Sequence, residues 1–265
     1  MKVTLRKAIR TALTLVPRSD SLKPMFQRLL LAMRKRPFEP EFQILRGLRD
    51  VEDALFLDIG GNQGFAVDAI LLYMKRCRVV TFEPSPLLAE DLKTRFARDH
   101  RVTVSAFGLG DQDGDFTLYT PIYRSFRFFG LASMIRNEAE SWLAHDEILS
   151  FNPARLTMHE ARCSVRRLDS LGYDPLFMKI DVQGYELAVL KGGCETIRRS
   201  KPIILIETAT EEHLRFLQPF GYSLYRYEPH THGLTSGGSG TVNSFFIPHD
   251  KLNLFDPELF TPAHG

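Results

Sequence analysis

From Ala54 onward, short β-rich apolar runs alternate with stretches of helical periodicity. That alternation limits the possible folds more than any other feature of the chain. Strands separated by helical runs are βαβ units, which lie parallel in one sheet with right-handed crossovers packed on its faces. The expected strands are Ala54 to Ile59, Arg78 to Phe82, Val102 to Phe107, Leu176 to Ile180, Pro202 to Glu207, Ser223 to Tyr227 and Val242 to Ile247. The helices between them are Phe65 to Lys75, Pro86 to Arg98, Tyr185 to Arg198 and Glu211 to Leu217. The expected fold is therefore α/β: a mostly parallel seven-stranded sheet with an antiparallel last strand and helices on both faces. Asp115 to Thr120 is a further β-run, and His230 to Gly240, rich in Gly, Ser and Thr, reads as a mobile loop.

The strand ends carry the chemistry. Leu55-Phe56-Leu57-Asp58-Ile59-Gly60-Gly61-Asn62-Gln63-Gly64 is an apolar strand running into a glycine-rich turn and then a helix. Glycines let a backbone turn sharply and approach a ligand, and an open helix start offers unpaired N–H groups, so the segment suits a nucleotide-type ligand. Its spacing is not that of a dinucleotide site, because Gly60 and Gly64 are four apart and an acid, Asp58, precedes them. That acid is badly placed beside a pyrophosphate and well suited to the ammonium, or to ordered water, of a cationic amino-acid ligand. The second strand runs Val79-Val80-Thr81-Phe82-Glu83-Pro84, and the paired oxygens of Glu83 match the two hydroxyls of a ribose. Beyond the third strand, Ala106 and Gly108 in Ser105-Ala106-Phe107-Gly108 leave room for a flat adenine. Phe177-Met178-Lys179-Ile180-Asp181-Val182-Gln183-Gly184-Tyr185-Glu186 repeats the order strand, acid, glycine, helix, and directs Asp181 into the same crevice as Asp58 and Glu83.

In combination, Asp58 to Gly64, Phe82-Glu83-Pro84, Lys179 to Glu186 and Ile206-Glu207 resemble the FkbM-type methyltransferase family, over about Ala54 to Pro248 and more weakly in the middle. The resemblance implies a Rossmann-like class I methyltransferase fold, S-adenosylmethionine (SAM) as methyl donor, and an oxygen acceptor on a sugar, glycan or natural product. The donor site then comprises Asp58, Gly60, Gly61, Asn62, Gly64, Glu83, Pro84, Ala106 and Gly108. Gly61 stands where the family commonly has alanine, an exchange expected to cost little. Gln183 stands where a glutamate is usual, which removes a second carboxylate beside Asp181. Asn243 resembles the family's asparagine near the final strand and is either an acceptor contact or a strand-edge amide.

A hydroxyl acceptor has to lose its proton. Asp181 is the first candidate base, with a raised pKa expected of an acid near an apolar crevice. His230, with His232, in the loop after the sixth strand, is the second. Lys179 reads as the partner of an acid at the sheet end. Glu186 opens a helix and Glu207 ends a strand, so both read as structural and no metal is expected. A nicotinamide oxidoreductase is disfavoured by the missing third glycine and the lack of a Tyr-x-x-x-Lys pair. A catalytically inactive, methyltransferase-like binding protein is the main alternative.

The 265 residues, 44% hydrophobic and 25% charged, suit one α/β domain with terminal additions. Cys77, Cys163 and Cys194 form no C-x-x-C pair and indicate a reducing compartment, so a soluble cytoplasmic protein is expected, and no nucleic-acid partner. Residues 1–37 hold ten Lys/Arg and one acid, a net +9 against +2 for the whole chain, so the remaining residues carry −7. This segment reads as a basic arm before a domain of residues 38–265. Leu5, Ile9, Leu13 and Val16 recur on one helical face, with Lys2, Arg6 and Arg10 on another. A second short helix carries Phe26, Leu29, Leu30 and Met33. The arm is a peripheral contact to the inner face of a membrane, a targeting segment, or a helix packed on the protein. Residues 121–160 show no strand–helix alternation and read as an insertion or lid. In it Tyr123, Phe126, Phe128 and Trp142 stack on a sugar ring or form a small core, and Arg124 and Arg127 hold an anionic group of the acceptor.

Overall fold

The structure, a computed structural model, describes residues 2–16, 19–141, 148–240 and 242–261. Two helices come first, α1 (Lys2–Leu13) and α2 (Ser19–Arg34). The alternating region follows with β1 (Leu55–Ile59), α3 (Phe65–Tyr73), β2 (Arg78–Phe82), α4 (Pro86–Phe96) and β3 (Val102–Ser105). The middle of the chain forms β4 (Gly108–Leu109), β5 (Gly114–Tyr123), β6 (Phe126–Arg127), α5 (Arg136–Ser141) and β7 (Leu156–Arg166). Alternation then resumes with β8 (Phe177–Ile180), α6 (Glu186–Gly192), α7 (Cys194–Ser200), β9 (Ile203–Glu207), α8 (Glu211–Leu217), β10 (Tyr222–Glu228), β11 (Gly233–Ser236), β12 (Asn243–Pro248) and β13 (Phe260–Thr261). The chain forms two compact units, one of residues 1–34 and 115–164, the other of residues 35–114 and 165–265.

The larger unit holds a sheet in the order β13-β11-β10-β12-β9-β8-β1-β2-β3. The strands β3, β2, β1, β8 and β9 run parallel, and β12 is antiparallel to both β9 and β10, so β10 points the same way as β9. Period-two alternation divides the strand residues between two cores. Phe56, Val79, Phe177, Ile203, Leu205 and Phe245 face one side with Val67 and Ile70 of α3 and Leu92 of α4. Leu57, Val80, Met178, Ile180, Ile204, Ile206 and Phe246 face the other with Val189 and Leu190 of α6, Ile197 of α7 and Leu217 of α8. Each strand buries both faces, which is why the runs read as continuously apolar.

Among the described residues nine strands, not seven, make this sheet. One of the two extra strands lies where a mobile loop was expected: Gly233–Ser236 is β11, antiparallel to β10; the other, β13, follows the last expected strand and pairs with β11 in parallel. Leu234 is fully buried, so one apolar side chain anchors a strand whose Gly and Ser flanks hide it. The helix expected over Tyr185 to Arg198 divides into α6 and α7 at Gly192-Gly193, two consecutive residues that each disfavour a helix interior by about 1 kcal/mol.

In the smaller unit β5 pairs antiparallel with β6, and β7 is a long strand that starts inside the 121–160 stretch, read from sequence as an insertion, and runs past its end. Most of the β7 residues are half-buried or exposed, so no clean apolar alternation marks them. Tyr123, Phe126 and Phe128 are buried with Ile148, and Leu13 of α1, Phe151 and Leu156 pack against them. Tyr123 stacks on Phe151, and its hydroxyl accepts from the Asn152 N–H at 3.0 Å. These three aromatics are a satellite core, which overturns the sugar-stacking alternative for them. Trp142 lies outside the described residues. Leu13 of α1 packs inside the unit, and the Leu149 N–H donates to Thr11 Oγ1 at 2.9 Å. Among the described residues no helix is long and apolar enough to cross a membrane.

Candidate functional site

Parallel strands bring their carboxyl ends to one edge of the sheet, and in the larger unit that edge is charged. Register pairs Asp58 of β1 with Lys179 of β8 on one side and with Thr81 of β2 on the other. Glu207 of β9 pairs with Asn243 of β12. Lys179 is buried at the centre, its ammonium donating to Asp181 Oδ2 at 3.0 Å and to the Gly60 carbonyl at 3.4 Å, with Asp58 Oδ1 at 3.8 Å. Burial alone would neutralise this lysine, but the surrounding carboxylates outweigh desolvation and raise its pKa. Asp58 is fully buried; Thr81 donates to its Oδ2 at 2.8 Å, while Oδ1 accepts no hydrogen bond.

The glycine turn wraps over this charge. Gly60 sits at φ +88°, a left-handed conformation, and a Cβ there would lie 1.8 Å from the Asp181 carbonyl oxygen, so only glycine fits. The N–H groups of Gly60 and Gly61 both donate to the Phe82 carbonyl, tying the turn to the end of β2. Gly61 is also confined: a methyl group there would meet Thr81 Oγ1 at 2.2 Å. The exchange with alanine is therefore not cheap, contrary to the expectation from size alone. The next residue, Asn62, donates its N–H to Glu83 Oε2 at 2.6 Å, and the Ser85 N–H donates to Glu83 Oε1 at 2.8 Å. Burial pushes Glu83 up to about 7 despite these two bonds. Gly64 precedes α3 at φ +76°. Ala106 is exposed beyond β3, and a Cβ on Gly108 would touch Pro84 at 3.4 Å, so these three positions line the ground next to Glu83.

The second carboxylate beside Asp181 is Glu207. Gln183, at φ +53°, donates from Nε2 to Asp181 Oδ1 at 2.8 Å and to Glu207 Oε2 at 2.9 Å, bridging the two acids. Desolvation raises Asp181, but the Lys179 ammonium overrides it and holds the carboxyl well below its usual range. Glu207 is pushed up to about 8 by burial and by its hydrogen-bonded neighbour Asp181. The raised proton affinity expected of Asp181 thus belongs to Glu207, which sequence reasoning had set aside as a strand-end acid. Glu186 keeps its structural role, its Oε1 accepting from the N–H groups of Val182 and Gly184 at 3.1 Å.

Glu39 was not anticipated. Asn243 donates from Nδ2 to Glu39 Oε2 at 3.3 Å, and burial raises the pKa of Glu39 although Lys179 pulls it down. No motif marks this position, which lies in a short irregular segment before Pro40. His230 is exposed in the turn between β10 and β11, at the same end of the sheet but three strands from β8, roughly 14 Å across the ladder. His232 is hydrogen-bonded to the Tyr227 hydroxyl at 2.8 Å. The structure brings Asp58, Glu83, Asp181 and Asn243 to one edge and leaves both histidines apart from the carboxylate pair. Arg127, in the smaller unit, lies over the Phe129 ring at 5.4 Å.

The chain is 34% identical over 166 residues to the AMB antimetabolite synthetase AmbE of Pseudomonas aeruginosa, an alignment covering 53% of this chain and 8% of that protein. The solved methyltransferase FkbM of Methylobacillus flagellatus is 18% identical, with 74% of this chain and 44% of that one covered at a TM-score of 0.46. An O-methyltransferase of Bacillus cereus, solved in complex with SAH, is 13% identical over 92% of this chain and 97% of that one, at a TM-score of 0.35. The chain spans a small part of the synthetase and under half of the FkbM structure. The model of the methyltransferase FkbM domain matches residues 58–224, from the buried aspartate of β1 into β10 and across more than half the chain, and the protein belongs to that family.

Proposed function

We propose that this chain is a SAM-dependent methyltransferase that methylates a hydroxyl group on a sugar, glycan or natural-product acceptor. The observation that carries the reading is the shared edge: a ribose-type acid and a glycine turn at the ends of β2 and β1, adjoining a carboxylate pair at the ends of β8 and β9. The residues fit the donor. Each oxygen of Glu83 spends one lone pair on a backbone N–H and keeps one for a ribose hydroxyl. Asp58 Oδ1, buried without a hydrogen bond, adds negative potential suited to a cationic ligand. When bound, SAM supplies a methyl group already activated as a sulfonium.

Given an activated donor, the task of the protein is to orient the acceptor and manage one proton. Asp181, kept ionised by Lys179, accepts a hydrogen bond from the acceptor hydroxyl. Glu207 takes up the released proton in its ionised form, which gains population as pH rises towards about 8, within the pair that Gln183 holds together. Asn243 is a proposed contact of the acceptor.

The test is a screen of hydroxylated acceptors, sugars first, following S-adenosylhomocysteine release, with SAM affinity measured separately by calorimetry. Asp181→Asn is expected to lower turnover about 100-fold or more while changing SAM affinity little. Near-normal turnover by this variant removes Asp181 from the chemistry, and a wild-type chain that binds no SAM removes the whole reading.

A further inference from the structure

α2 is apolar on two faces. Leu30 and Leu31 are half-buried, whereas Met25, Leu29 and Met33 are 62%, 55% and 72% exposed. Their spacing of four stacks the three within an arc of about 80° along the helix. A helix on a protein surface ordinarily turns polar side chains outward; this one presents two thioethers and an isobutyl group. The same unit also exposes Ile9, Leu15 and Val16. The helix ends on Arg34, and the chain continues with Lys35 and Arg36; all three are exposed and form no ion pair among the described residues.

We infer that the outward face of α2 docks on an anionic lipid surface. An interfacial helix needs only a narrow apolar strip sunk about 5–10 Å into the boundary, with bases in the headgroup plane. The strip supplies the first and Arg34-Lys35-Arg36 the second, within an arm whose net charge is +9. A second copy of this chain fits less well. A two-fold contact through this face would set one strongly basic arm against another. Three side chains spaced over about 12 Å also cover far less than the roughly 800 Å² per partner of a stable protein interface. On α1, Leu13 packs inside its own unit whereas Ile9 is exposed.

The experiment is co-sedimentation of the full chain with vesicles of mixed phosphatidylglycerol and phosphatidylcholine, against phosphatidylcholine alone. Binding is expected to the anionic vesicles only, weakening between about 50 and about 500 mM salt. Combined Met25→Gln, Leu29→Gln and Met33→Gln substitutions are expected to abolish it. Replacing Arg34, Lys35 and Arg36 by Gln weakens partitioning about fivefold per base. If the triple apolar variant does not fold, Met33→Gln alone, at the most exposed of the three sites, is expected to lower binding severalfold. Absence of binding by the wild-type chain, or undiminished binding by a folded apolar variant, overturns the inference. A concentration-dependent self-association dispersed by the same variant also overturns it, because it assigns the face to another copy.

Discussion

The edge of the large sheet and the residue 115–164 segment of the smaller unit are both rich in conspicuous side chains, yet those side chains do opposite things. At the sheet edge the conspicuous residues are acids, buried or half-buried around one buried lysine, and their positions follow from strand register. In the segment Tyr123, Phe126 and Phe128 are aromatic, and they are consumed in making a core. A buried acid has little structural use and a large energetic cost, so its placement points to chemistry. A buried aromatic is explained by packing alone.

The comparison is most severely tested at Lys179. Lys179→Met leaves the buried Asp58 and the half-buried Asp181 without their cation and is expected to cost about 3–5 kcal/mol in urea unfolding. A loss below about 1 kcal/mol would mean that the edge is wetter than its burial indicates. Glu83→Ala removes an acceptor without unbalancing that charge centre, and SAM affinity is expected to fall by about 1.5–3 kcal/mol in calorimetry. Unchanged affinity with an intact fold would displace the ribose from this strand end.

A gentler probe is pH. Glu83 at about 7 and Glu207 at about 8 stand above the ordinary glutamate value of 4.5. Between those limits the folded protein holds protons that the unfolded chain has lost, so stability is full below about pH 4.5 and declines as pH rises through about 8. Asp181, lowered, acts in the other direction and only in acid. The melting temperature of the ligand-free protein is expected to fall from about pH 5 to about pH 8, and Glu207→Gln should flatten the upper part of that fall; a wild-type profile rising over this range contradicts the assignment. In the smaller unit Tyr123→Phe removes a single hydrogen bond and is expected to cost about 1 kcal/mol, read by thermal melting, with SAM affinity unchanged.

What could be read from sequence follows the same division. β1, β2, β8 and β9 announce themselves because both faces are buried and each ends in an acid or a glycine turn. β7 and β11 do not, since one mixes half-buried and exposed, mostly polar residues and the other is four residues long between glycines and serines. Asp58, Glu83 and Asp181 were legible as strand-end acids. Glu39 was not, because its neighbour Asn243 lies two hundred residues away in sequence and only sheet order brings them together. The transfer of high proton affinity from Asp181 to Glu207 was also hidden, since it depends on which of two acids lies nearer one ammonium group.

The contact between Gly61 and Thr81 restricts how this site can change by inheritance. Alanine at position 61 collides with the Thr81 hydroxyl, and removing that hydroxyl first takes from Asp58 the hydrogen bond to its Oδ2. Either single step is a loss; the two together relieve the collision. Positions 61 and 81 are therefore tied as a pair, and a lineage exchanging glycine for alanine in this turn passes through a handicapped ancestor unless both changes arrive together.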